Sequence, residues 1–246
     1  FRGFVRSQET KVGDATAATT VTNLVYDVGM TDESHKGLML ESEVLAQDGH
    51  CAGDYAGCFV RTVNQLETRV VISANATSTG QPIAYAFIKQ TDSFVHEQQA
   101  DPVHLRQAFA QDNYGNQTQQ FNYGKVCGED VTCGDDEILT YTDYIYDEAH
   151  YRFNLAQRVR QIDAAGNLVS EAQMYYDGDA YVGLPSGQFT HGDLTRKLES
   201  LGPNANNKLI PTKRQKFDEW GNVLGIMDGN GQITSVEYDP VQHTFP

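Results

Sequence analysis

The stretch FDEWGNVLGIMDGNGQITSVEYDP, residues 217–240, decides the fold. Gly221-Asn222 and Gly229-Asn230-Gly231 supply positions that tolerate positive φ, and the neighbouring segments VLGIM and QITSVEY are short and rich in β-formers. In the second segment Thr234, Val236 and Tyr238 share one face and Ser235 and Glu237 the other, the pattern of a half-buried strand. An aromatic-Asp pair stands at each end of the stretch, Phe217-Asp218 and Tyr238-Asp239. Asp and Asn side chains that bond their own backbone fix a reversal, and glycine removes the Cβ penalty there. The stretch therefore reads as a hairpin with structural corners, carried by Phe217, Asp218, Trp220, Gly221, Asn222, Asp228, Gly231, Tyr238 and Asp239.

The same device returns upstream in degenerate form. Asp112-Asn113-Tyr114-Gly115-Asn116 precedes TQQFNYG, Asp163-Ala164-Ala165-Gly166-Asn167 precedes LVSEAQMYYDG, and Asp48-Gly49 follows LMLESEVLAQ. The spacing is too irregular for a strict solenoid and fits a repeated strand-turn-strand unit with variable loops. Thr68–Ser73, Ile83–Lys89 and Leu139–Tyr146 are further strand candidates, each bounded by turn residues. DPVHLRQAFAQD and AHYRFNLAQRVRQID fit either a helix or a strand. The loosest stretches, residues 10–20 and 201–208, are too short to separate domains. The expected fold is all-β: one continuous strip of antiparallel β-hairpins over residues 1–246, with at most a short helix.

At 246 residues with 39% hydrophobic content the chain can bury a sizeable core, and no run approaches the roughly 18 apolar residues of a membrane span. A formal net charge of −15 disfavours nucleic acid as a partner, because phosphate binding needs clustered Lys and Arg. The opening FRGFVRSQET has neither Met nor the blocks of a signal peptide and reads as part of a longer polypeptide. Four cysteines form two close pairs, Cys51 with Cys58 and Cys127 with Cys133, at spacings wrong for a CxxC zinc knuckle. Two loop-closing disulfides fit them best, with free thiols or a metal as the alternatives, and disulfides imply an oxidising compartment.

FDEWGN with EYDP, the DNYGN and DAAGN copies and the terminal YDPVQHTFP resemble the YD or RHS repeats of bacterial polymorphic toxins. FRGF, KGLMLESEV and YYDGDAYVGLPSGQFTHGDLTR resemble, more narrowly, the middle region of the B component of insecticidal toxin complexes, of the TcdB/TcaC type, and its SpvB-like relatives. The resemblance implies a secreted β-strip that spirals into a hollow shell around a toxic C-terminal segment. This chain would then be a non-enzymatic arc of wall, with no cofactor. Its partners would be the remainder of the toxin polypeptide, the C-terminal cargo and other toxin-complex subunits. The sequence holds none of the β-propeller repeats, autoproteolytic aspartyl region or variable toxin domain of the whole family protein. Large aromatics such as Tyr175, Tyr176, Trp220 and Tyr238, each burying roughly 150–250 Å², would brace a sheet without a thick core. A second reading of those aromatics is an extracellular module presenting Tyr and Trp to carbohydrate or a receptor.

Sharper chemistry finds weak support. Asp228, Asn230 and Gln232 alternate as calcium ligands do, but Ile233 stands where an EF-hand loop needs Gly. Ser186, His191 and Asp193 suggest a hydrolase, yet GLPSG lacks the nucleophile-elbow spacing. The seven histidines form no HExxH or HxH motif and read as scattered surface groups, with His150 and His191 able to titrate at acidic pH. Asn75 and Asn116 stand in glycosylation sequons, the second inside a corner.

Overall fold

Alternation along the chain becomes strand after strand. In a computed structural model, which describes residues 3–97, 99 and 101–246, the chain is all-β, and Phe1 and Arg2 of the FRGF opening lie outside the described residues. Two compact units divide it, Phe1–Ile138 and Leu139–Pro246. The first holds β1 (Arg6–Lys11), β2 (Thr20–Tyr26), β3 (Met39–Ala46), β4 (Cys58–Ile72), β5 (Ile83–Val95), β6 (Val103–Gln111) and β7 (Gln117–Lys125). The second holds β8 (Ile138–Asp147, opening at the boundary), β9 (Arg152–Asp163), β10 (Leu168–Tyr176), β11 (Leu194–Ser200), β12 (Leu209–Phe217), β13 (Val223–Met227) and β14 (Ile233–Ser235). Within each unit the strands lie in sequence order, each beside the next. Helical structure among the described residues is confined to 3-10 turns such as Glu33–His35 and Pro203–Ala205.

The two ambiguous segments are strands. DPVHLRQAFAQD supplies β6, whose Ala108 pairs with Gln90 on one side and Phe121 on the other. AHYRFNLAQRVRQID supplies β9, paired with β10 from Leu168↔Ile162 to Gln173↔Arg158. Ladder bonds on both flanks outweigh a modest helical pattern. Each of the three further strand candidates falls within a longer strand, β4, β5 or β8, except that Ser73 lies just past β4.

Both cores are thin. In the first unit Val21, Leu45, Cys51 and Cys58 cluster with Tyr55 packed against them. In the second Ile145, Met174 and Tyr176 cluster, with Leu155, Leu194 and Phe189 among the residues around them.

Two expectations need correction. The half-buried strand expected over Gln232–Tyr238 shrinks to Ile233–Ser235, all exposed. Among the described residues β14 pairs with β13 alone, so nothing covers its face, although Val236 and Tyr238 beyond it are half-buried. Asp48-Gly49 is not a copy of the corner device. It opens an eleven-residue connection closed by a disulfide, where Gly49 N–H donates to Ala46 O and a Cβ on Gly49 would collide with Gly57 backbone.

Candidate functional site

Four corners share one geometry. Asp112, Asp163, Asp218 and Asp228 each donate a backbone N–H to the carbonyl four residues on and accept, on their own carbonyl, the N–H of the glycine three residues on. Each Asp Oδ1 also accepts the N–H four residues on, at 2.8–3.0 Å. In the first three the Asn side-chain amide then donates to Asp Oδ2, at 2.9–3.0 Å. This is a type I turn closed by a left-handed residue. The left-handed residue is the glycine alone: Gly115, Gly166, Gly221 and Gly231 have φ of 83–86°, whereas the asparagines and Gly229 do not take positive φ. The asparagine is there for its amide. Asn167's amide and N–H hold the Asp163 carboxyl below its ordinary value.

Space around Gly166 is open, so its requirement is backbone conformation and not packing. Gly166→Ala should therefore cost about 1 kcal/mol in urea unfolding, while Gly229→Ala, also in open space but without positive φ, should be near neutral. Equal effects at the two sites would contradict the geometry.

The Asp218 corner is braced from the chain end. Trp220, the single tryptophan, stacks on His243 at 3.7 Å between ring centroids and 9° between planes. Asn222 Nδ2 donates to His243 O at 2.7 Å. The segment carrying His243 is shaped by Asp239, whose carboxylate accepts the N–H groups of Val241, Gln242 and Thr244. The other aromatics are held separately. Tyr176 is buried and donates its hydroxyl to Ala156 O, while Tyr175 lies beneath the Arg196 guanidinium at 4.2 Å.

The long β10–β11 connection carries a feature the sequence reading missed. The buried Asp177 carboxylate accepts four consecutive backbone N–H groups, from Thr190, His191, Gly192 and Asp193, at 2.6–3.1 Å. Burial raises its pKa and these bonds lower it; the bonds prevail. The clasp brings Phe189 onto the Ile145 cluster. Tyr181 N–H donates to Gln215 O, and the Tyr181 hydroxyl occupies the space where a Cβ on Gly225 would stand. Beside the clasp lies a cavity of about 450 Å³ lined by acidic groups including Asp179, Asp193, Asp218 and Glu219, with Lys216 and His191. Burial, then the charge of Asp177, pushes the Asp193 carboxyl up.

Cys51 is bonded to Cys58 and Cys127 to Cys133, with Cα–Cα distances of 5.0 and 5.9 Å. Ser186 Oγ accepts from Gln157 Nε2 at 2.9 Å while His191 Nδ1 faces Thr190 Oγ1 at 3.3 Å, so no relay joins them. Asp228 Oδ1 is turned onto the N–H groups of Asn230 and Gln232 rather than outward with them. Among the described residues no three His, Cys, Asp or Glu side chains are grouped to hold a metal. Asn116, in the second sequon, has its amide committed to Asp112. His96 is buried and His104 and His35 are paired with carboxylates, so the histidines are not uniformly surface groups.

No family model and no curated protein matches the sequence. Solved structures do. Over 97% of its length the chain superposes on a chain of the Photorhabdus luminescens Tc holotoxin pore, with a TM-score of 0.58 at 12% identity. It superposes over 97% of its length on a chain of the TcdB2–TccC3–Cdc42 complex, with a TM-score of 0.59 at 13% identity. The fold is Tc-toxin-like. The chain spans 18% and 19% of the length of those two chains, so the likeness concerns a small part of each. No helix among the described residues is long and apolar enough to cross a membrane.

Proposed function

We propose that this chain is a structural, non-enzymatic arc of the wall of a secreted toxin-complex β-shell of the RHS/YD-repeat, B-component kind. Its 246 residues are one continuous run of that wall. The shell encloses a toxic C-terminal segment of the same polypeptide and docks on other toxin-complex subunits; it needs no cofactor. The observation that carries this reading is the Tc-toxin-like fold matched over 97% of the chain, with each strand beside the next within each unit. The corners support it: Asp218, Asp228 and their counterparts direct their carboxylates at the backbone, which suits architecture rather than turnover.

Protease protection of the full polypeptide tests the reading. The C-terminal segment is expected to resist trypsin in the intact protein and to become cleavable when residues 1–246 are deleted. A segment equally resistant without them, or cleaved in the intact protein, would overturn the wall assignment. Binding of the isolated chain to a glycan array, with protection unchanged by the deletion, would favour the carbohydrate module instead.

A further inference from the structure

Gln215, on β12, is 7% exposed, and its backbone carbonyl accepts the Tyr181 N–H. Among the described residues its side-chain amide nevertheless has no hydrogen-bond partner. An amide brings two donors and an acceptor, and leaving them unmet under cover opposes folding. The amide stands on the wall of the cavity of about 450 Å³ beside the Asp177 clasp. Thr195, on the same wall and 2% exposed, spends its hydroxyl on the carbonyls of Asp177 and Asp193 and leaves Gln215 unmet.

The cavity also takes in Asp193, a half-buried carboxyl whose side chain likewise has no hydrogen-bond partner among the described residues. Burial, then the charge of Asp177, pushes its pKa up; Asp218 adds to this and His191 opposes it. Two other carboxylates of the wall are already satisfied. Asp177 holds its four backbone N–H groups, and Asp218 holds the N–H and amide of Asn222 within its corner. Asp179 and Glu219 are exposed at the same cavity. Lys216 alternates with Gln215 along β12, so its ammonium points to the opposite, exposed face.

We propose that this cavity binds a guanidinium group, with the Asp193 carboxylate as counter-ion and the Gln215 amide oxygen as a second acceptor. A guanidinium carries five N–H donors in a planar fork, so one group can meet a carboxylate and an amide together, and its weak hydration suits a half-buried site. An ammonium is compact and strongly hydrated, and a divalent ion needs grouped ligands, which the described side chains do not form. Filling the site would satisfy Gln215 and offset the repulsion that Asp193 receives from Asp177 and Asp218. The volume suits a group of that size together with the chain that bears it. Free arginine and an arginine side chain of a polypeptide carry the same group and differ in the charges of the backbone behind it.

Nuclear magnetic resonance titration of the whole chain tests this, followed at the Gln215 side-chain NH₂ and at the backbone amides of Asp193 and Gln215. The probes are free arginine, N-acetylarginine methylamide, which stands for a side chain within a polypeptide, and N-acetyllysine methylamide. At least one arginine probe should saturate these signals with a dissociation constant on the order of 1 mM, and the lysine probe should bind at least about tenfold more weakly. Tighter binding of the capped probe identifies a polypeptide source and tighter binding of free arginine a small molecule; either upholds the site. Asp193→Asn and Gln215→Met should each weaken binding about tenfold. Asp193→Asn is expected to be more stable than the wild type at neutral pH, so its loss of binding is not unfolding. Equal binding of the lysine and arginine probes, a wild-type response that either variant keeps in full, or no saturation up to about 50 mM would overturn the proposal.

Discussion

Asp177→Ala should lower the unfolding free energy of the second unit by about 3 kcal/mol, because four backbone N–H groups would lose their one buried acceptor. Trp220, the single tryptophan, lies in that unit and reports its unfolding by fluorescence. Asp177→Asn keeps the size but turns an amide N–H₂ toward donors, so it should recover only part of the loss. The pH dependence follows from the direction of the shift. The Asp177 carboxyl is held below its ordinary value in the folded protein, so its contribution is present above about pH 4 and fades as the pH falls through the lowered value. Wild type and Asp177→Ala should therefore converge in acid. Asp193 has the opposite sign: burial and the Asp177 charge raise its pKa, so its ionisation opposes folding at neutral pH and Asp193→Asn should stabilise there. A difference between wild type and Asp177→Ala that stays constant from neutral pH into acid would show that the carboxylate is not the clasp.

The corners were legible because their chemistry is local. Asp, Gly and Asn at fixed offsets contain the whole device, so Asp163-Ala164-Ala165-Gly166-Asn167 can be read without knowing what lies opposite. The reading erred at Asp48-Gly49, which is not such a corner, and left open which residue takes positive φ, since Asn tolerates it as well as Gly does. Asp177 was not legible, because its partners lie 13 to 16 residues away in a loop without period. The one signal was the run of glycines at 178, 183, 187 and 192, all with positive φ, which marks an irregular but specified backbone. β6 and β9 were undecided because a strand with partners on both sides need not alternate cleanly: the half-buried residues of β9 run almost without interruption. In each case local turn chemistry was carried by sequence alone, and groups satisfied across the sheet or across a loop were not.

The second large effect is expected in the first unit, at Asp92. Its carboxylate is 7% exposed and accepts from Gln90 Nε2 at 2.7 Å, Arg106 Nε at 2.7 Å and His104 Nε2 at 2.6 Å. The register puts Arg106 directly opposite Asp92 and His104 opposite Phe94, whose ring stacks on the imidazole at 4.5 Å. Burial raises the Asp92 pKa, and the Gln90, Arg106 and His104 bonds more than offset it, so the group stays ionised and stabilises the fold above about pH 4. Asp92→Ala leaves the half-buried Arg106 and His104 facing a space without an anion, and should cost about 3 kcal/mol. Removing the cation as well should recover part of this, because the penalty lies in the stranded charge more than in the lost attraction. Asp92→Ala with Arg106→Leu is thus expected to be more stable than Asp92→Ala alone in urea unfolding followed by circular dichroism. Simple addition of the two single costs would mean the three side chains act independently, and the ladder between β5 and β6 would then owe its stability to the backbone and to Phe94.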